Sequence, residues 1–279
     1  MEPGDYAESL IAELGISAPE DLDVEAIAFD ASLEVEYEPL NGCEASLVGF
    51  GDRGIATIRP SSSRGRERFS IAHELGHWLL HRGSSFRCRV DDPDLNLVAN
   101  QPRERQADDF ASHLLLPSSM FNPLVKRGGK TGFRELEDIA HTFDTSLLAT
   151  ALRLVKVDSL PVILACYSRN GLRWHLAARH IPRRWWLKRK LDEDTFAFDL
   201  MTKGSPCPTP RKQSADAWFD NDDADEFEVL EQCVFTTNRD VLVLLFLTDT
   251  EMFDRGFDPN VGSRRYNELG SYIPRNRKR

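Results

Sequence analysis

The sequence predicts an α+β chain built from two compact units with a small helical one between them. Three observations lead there. The first 120 or so residues run helix, helix, strand, hairpin, helix, helix. Residues 132–156 repeat apolar positions as a helical pair, and from about Leu160 the pattern changes to apolar runs of strand character. At 279 residues the chain exceeds one average domain and can bury a substantial core.

The elements follow in order. Residues 5–14 carry Tyr6, Leu10, Ile11 and Leu14 at helical spacing and stop at Gly15. After Pro19, Leu22, Val24, Ile27 and Ala28 lie largely on one helical face, and LEVEYEPL then alternates with a period of two. SLVGF and IATIRP flank a GDRG turn signal and read as a hairpin. RGRERFSIAHELGHWLLHR follows three serines able to cap it and puts Phe69, Ala72, Gly76, Leu79 and Leu80 along one face. A polar loop is expected over roughly 83–102, then a helix in ERQADDFASHLLL stopped by Pro117. Residues 132–156 have the outline of a helix-turn-helix. PVILACYS, RWHLAA, EFEVLEQCVF and VLVLLFLTD are strands, with a basic, Trp-bearing helix expected at PRRWWLKRK. The acidic run from Asp220 to Glu228 and the basic tail PRNRKR read as solvated faces.

Composition narrows the function classes. The N-terminal MEPGDYAESLIAEL has no basic region, no apolar core and no small-residue cleavage site, which predicts a cytoplasmic chain. The longest apolar run, Val241 to Leu247, falls far short of the roughly 20 residues that span a bilayer, so no membrane partner is expected. Five scattered cysteines without a CxxC spacing suggest neither a disulfide framework nor a thiolate zinc site. A net charge of −10 repels a phosphate backbone and opposes direct DNA binding.

The chemistry sits in His73-Glu74-Leu75-Gly76-His77, an HExxH sequence. Residues four apart lie above one another on a helix, so two imidazoles can converge on one metal with Glu74 beside it as general base. The pentapeptide alone arises by chance in roughly one chain of this composition in a hundred, so its place in an amphipathic helix directly after a strand carries much of the weight. A catalytic zinc takes three protein ligands and one open position. His81 stands two turns, about 12 Å, from His73, too far to share an ion held at about 2.1 Å, and is expected to cap or pack the helix end. Glu104 on the second helix is the better candidate. Ala107 and Ala111 on that helix, and Gly76 facing them, would let the two helices approach closely. Asp108, one turn after Glu104, is placed to accept a hydrogen bond from a ligand histidine. His113 is turned away from Glu104.

RFSIAHELGHWLLH followed by ERQADDFASHLLLP resembles the ImmA/IrrE family of bacterial metallopeptidases in both motifs and their spacing. Phe69 and Ala72 meet the family's aromatic and small positions before HExxH. Glu104, Ala107, Phe110, Ala111, Leu114, Leu115 and Pro117 meet its ExxAxxFAxxLLxP pattern. The resemblance, clear over about residues 20–120, implies a zincin-like, gluzincin-type fold with Glu104 as third ligand. It also implies a helix-turn-helix-like region and a C-terminal sensor-like, GAF-like α+β domain. The expected divisions are 1–125 for the metallopeptidase domain, 126–158 for the helical unit and 159–279 for the C-terminal domain.

The expected function is a zinc-dependent endopeptidase, although His₂Glu also suits manganese or iron. The resemblance suggests a protein substrate, a helix-turn-helix transcriptional repressor cut to derepress stress-response or mobile-element genes. The strand GIATIRP is the expected edge on which an extended substrate adds. Cys43 is read as an ordinary buried thiol rather than an inhibitory zinc ligand. The competing reading is a zincin-fold binding protein that sequesters a partner without cutting it.

Overall fold

The computed structural model describes residues 1–61, 63–82, 86–88, 102–127 and 131–254. The chain separates into two compact units, Met1–Ser159 and Leu160–Arg279, each of mixed α and β structure. Most of the expected loop at 83–102 and the tail PRNRKR lie outside the described residues.

In the first unit, α1 (Pro3–Glu13) opens with proline at its first position, where the missing N–H costs nothing. Asp23 caps α2 (Val24–Asp30), its Oδ1 accepting from the amides of Glu25 and Ala26. Four strands follow: β1 (Leu33–Tyr37), β2 (Ala45–Phe50), β3 (Arg53–Ile58) and β4 (Phe86–Cys88). They form a sheet in the order β1-β3-β2-β4. β3 pairs in parallel with β1 and antiparallel with β2. The strand GIATIRP is therefore internal, with hydrogen-bonded neighbours on both sides, and cannot serve as the edge that takes up a substrate strand. Among the described residues, the free edges belong to β1 and β4.

The long helix α3 (Arg64–Leu80) crosses one face of this sheet. Its capping differs from expectation: Ser63 makes no side-chain cap, and the Glu67 carboxylate instead reaches back to accept from the Ser61 amide at 2.7 Å. The helices α4 (Pro102–Leu115) and α5 (Ser118–Arg127) follow, the latter carrying Pro123 in its interior. α6 (Phe133–Thr142) and α7 (Leu147–Val157) are joined through Asp144, which takes a left-handed φ of 51°. Arg153 ties α7 into the unit. Its buried guanidinium donates to the Leu116 carbonyl (2.9 Å), the Ser118 hydroxyl (2.8 Å), the Glu8 carboxylate (3.0 Å) and His113 Nε2 (2.7 Å).

The second unit is a five-stranded antiparallel sheet in the order β6-β5-β9-β8-β7. Its strands are β5 (Val162–Ser168), β6 (Gly171–Ala177), β7 (Cys207–Ser214), β8 (Glu228–Phe235) and β9 (Val241–Leu247). Every residue of β9 is buried, as its unbroken apolar run requires of a central strand. α8 (Phe196–Lys203) packs against β8 and β9, and the short α9 (Glu251–Asp254) ends the described part. PRRWWLKRK is not helical. Its backbone and side chains are drawn to tertiary partners. Lys188 donates its amide to the Trp218 carbonyl, its own carbonyl accepts from Tyr167 Oη, and Trp185 Nε1 reaches the Met252 carbonyl. Tertiary contacts here override a local helical preference.

Candidate metal centre

The site is made by two helices, and close packing makes it possible. α3 is enclosed on both sides, so Ser70 through Trp78 are buried without interruption. Trp78 faces the sheet, where a Cβ at Gly49 or Gly54 would lie 3.0 Å from its ring, and its Nε1 donates to the Ala31 carbonyl. His73, Gly76 and His77 face α4. A Cβ at Gly76 would meet Phe110 Cδ1 at 3.1 Å and Ala107 Cα at 3.2 Å, so glycine opposite alanine sets the distance between the helices.

That distance brings three donor atoms together. His73 Nε2 and His77 Nε2 stand 3.1 Å apart. Glu104 Oε2 is 3.3 Å from His73 Nε2, and Glu104 Oε1 is 3.5 Å from His77 Nε2. Ligands held at about 2.0–2.1 Å around a tetrahedral ion are separated by about 3.3 Å, so these spacings match the edges of a zinc site. The group is one in which His73, His77 and Glu104 could jointly hold a metal ion, and Cys43 is not part of it.

The hydrogen bonds around the histidines fix where their protons lie. His73 Nδ1 donates to Asp108 Oδ1 at 2.9 Å, which leaves the lone pair of a neutral ring on Nε2. For His77 the control is indirect. His81 Nε2 donates to Gln106 Oε1 at 2.9 Å, so His81 Nδ1 is the acceptor for the Nδ1–H of His77 at 3.1 Å. The Nε2 lone pair of His77 then also points inward. In this tautomer two lone pairs and a carboxylate converge, a donor set that a divalent cation satisfies. This is the physical fit of the donor set to a divalent ion.

The electrostatics agree. Burial lowers the pKa of His77, keeping it neutral and able to ligate. When their Nε2 atoms carry a proton, hydrogen bonds from His73 first, then His77, hold the Glu104 carboxyl well below the usual carboxylate range against the opposing effect of its burial; in the lone-pair state that ligation needs, a cation takes over that role. The Glu74 side chain, on the helical turn between the two histidines, is 0% exposed.

His81 stands at the C-cap of α3, in keeping with the expectation that it caps or packs the helix end, and its Nδ1 also lies 3.1 Å from His77 Nδ1. The signal for this contact is its i+4 spacing from His77, which suits a histidine-to-histidine hydrogen bond, while its i+8 spacing from His73 puts it out of reach of an ion shared with both. His113 lies elsewhere, between Glu8 and Arg153.

Comparison with known proteins agrees with this architecture. The Peptidase_M78 family, described as the IrrE N-terminal-like domain, matches residues 28–155. The phage-like element PBSX protein XkdA of Bacillus subtilis is 27% identical over 116 residues, covering 42% of this chain and 54% of that protein. The radiation response metalloprotease IrrE of Deinococcus deserti is 31% identical over 108 residues, 39% of this chain and 37% of that protein. Its counterpart in Deinococcus radiodurans is 25% identical over 114 residues, 41% and 34% of the two chains. The matched stretch thus spans from about a third to about half of these relatives' lengths. A solved Mycobacterium tuberculosis transcriptional regulator shares the fold, with a TM-score of 0.54 at 16% identity, over 87% of this chain and 75% of that one. The matched stretch contains α3 and α4 entire, and over it this chain is similar to the ImmA/IrrE family of metallopeptidases.

Proposed function

We propose that the chain is a zinc-dependent endopeptidase that cuts a regulatory protein at a specific site, its substrate being a helix-turn-helix transcriptional repressor. His73, His77 and Glu104 would hold the ion, Asp108 would orient His73, and Glu74 would be the general base. When bound, the ion supplies Lewis acidity that polarises the scissile carbonyl and acidifies the attacking water. Glu74 takes the proton of that water as it attacks and returns it to the leaving amine. Its burial suits both steps, because a carboxylate shielded from bulk solvent binds and releases a proton without competition from surrounding water.

The observation that carries this reading is the enclosure of a carboxylate base on the turn between two histidines whose lone pairs converge with Glu104. The name of the Deinococcus relatives, radiation response metalloprotease, supports a role in a stress response. The net charge of −10 fits a protein substrate better than a DNA target.

Elemental analysis of the wild type and of Glu104→Ala, together with incubation with repressors encoded beside the gene, tests the proposal. The expected result is one zinc per chain, largely lost in the variant, and a discrete cleavage product abolished by Glu74→Gln. Zinc binding without cleavage of any neighbour would point to sequestration of a partner instead. Absence of metal binding would overturn the proposal entirely.

A further inference from the structure

The second unit carries a pair of thiols that the proposed peptidase chemistry does not use. Cys207 and Cys233 are direct partners in the antiparallel register of β7 and β8. Such partners have Cα atoms about 4.5 or 5.5 Å apart, and both values lie within the roughly 4.4–6.8 Å that a disulfide spans. Cys207 Sγ donates to the Thr209 and Glu231 carbonyls at 3.5 and 3.7 Å, and each thiol shifts the pKa of the other, down at Cys207 and up at Cys233. Both are free and buried, at 1% and 2% exposure. Among the described residues, no other two cysteines are partners in a strand register. Cys166 faces Trp174 and Leu242, and Cys88 faces Ala45.

Cys207 lies on a loosely laddered edge of the sheet. β7 is a terminal strand, its register slips between Cys207 and Arg211, and Pro208 and Pro210 offer no amide hydrogens to the ladder. Local opening is cheapest where few ladder bonds must break, so this corner admits small solutes to otherwise buried thiols.

We propose that Cys207 and Cys233 form an oxidant-responsive dithiol, which a peroxide converts to a cross-strand disulfide that staples β7 to the sheet. The Cys207 thiolate attacks one peroxide oxygen. The O–O bond breaks, hydroxide leaves and is protonated to water, and Cys207 becomes a sulfenic acid. The sulfur of Cys233 then attacks that of Cys207. The S–O bond breaks, and the hydroxyl departs as water with the proton of the Cys233 thiol. In sum two thiols lose two electrons and two protons, and one peroxide becomes two waters. Cys207 attacks first because it stands on the edge strand, which opens most readily, and the neighbouring Cys233 lowers the pKa of its thiol.

The test is peptide mapping without reduction. The full chain is treated with a small excess of hydrogen peroxide and free thiols are then alkylated. The expected outcome is a linked Cys207–Cys233 peptide, a fall from five alkylatable thiols to three, and full reversal by dithiothreitol. Cys207→Ser and Cys233→Ser should each show no internal disulfide, while Cys166→Ser should behave as the wild type. The proposal fails if both thiols remain alkylatable under conditions that oxidise other cysteines. It also fails if Cys207 goes to sulfinic acid without pairing, or if either cysteine links elsewhere. Should a serine variant not fold, the wild-type map decides alone.

Discussion

Replacing His81 should weaken metal binding although His81 touches no metal. Its ring accepts from His77 Nδ1 at 3.1 Å and donates to Gln106 at 2.9 Å, which fixes the tautomer of His77. His81→Phe removes the acceptor. His77 can then place its proton on Nε2, and recovering the ligating tautomer costs free energy at the moment of binding. Loss of such a hydrogen bond in a buried setting costs about 1–3 kcal/mol, and supporting partners of ligand histidines change metal affinity by about 10–100-fold. The two ranges agree, since each factor of ten is about 1.4 kcal/mol, so a fall in zinc affinity of about 10–100-fold is expected.

The assay is competition with a chromophoric chelator at neutral pH, and two further variants give it resolving power. His81→Asn carries an oxygen near the position of the lost Nδ1 and should recover much of the affinity. His81→Gln reaches toward Gln106 rather than His77 and should not. Wild-type affinity in His81→Phe would refute the relay. Equal losses in the phenylalanine and asparagine variants would show that His81 acts by packing alone.

Three other outcomes are expected. Gly76→Val should destabilise the first unit by about 2 kcal/mol in urea denaturation and weaken zinc binding, because its side chain must enter space held by Phe110 and Ala107; unchanged stability would show that the helices have room to spare. Arg153→Met should cost about 3–5 kcal/mol, since it leaves the Glu8 carboxylate and His113 without their buried cation, and Arg153→Lys should not rescue it, because one ammonium cannot reach four acceptors. Glu231, 0% exposed, has its carboxyl pushed up to about 7 by burial, from an ordinary value of 4.5. Its folded pKa is raised, so the stability it contributes is full below pH 4.5 and is lost as pH rises through about 7, on the order of 3 kcal/mol in all. Denaturation of the second unit, followed through Trp218, should show this slope in the wild type and a flat profile in Glu231→Gln.

Where the chemistry depends on one helix, the sequence was readable. His73 and His77 lie on one face because four residues make about one turn, and no tertiary information enters that statement. Glu104 and Asp108 were readable for a related reason, since small residues at 107 and 111 mark the face of the second helix that comes close. Properties that depend on the register between elements were not readable. IATIRP looks like an edge strand until β1 is known to lie parallel beside it, a pairing made across some twenty residues of intervening chain. PRRWWLKRK reads as a helix because its tertiary partners, Trp218 and Met252, lie far along the chain. The helix α8 and the strand β7 lack a clear periodic signal, the strand because its prolines and polar residues suit an edge exposed to solvent.

His81 shows the same division within the site. Its distance from His73 correctly excluded it as a ligand, and that test was the only one that single-helix geometry allowed. Its actual role needs Gln106, which sits on α4 and comes within reach only when Gly76 lets that helix approach. The glycine therefore serves the chemistry twice. It brings Glu104 to the two imidazoles, and it brings Gln106 to the ring that orients one of them. Widening the gap between the helices by a few tenths of an ångström would lengthen the Glu104 contacts and the His81–Gln106 bond together. Gly76→Val and His81→Phe should accordingly be less than additive in their effect on zinc affinity, because the first variant already loosens the relay that the second removes.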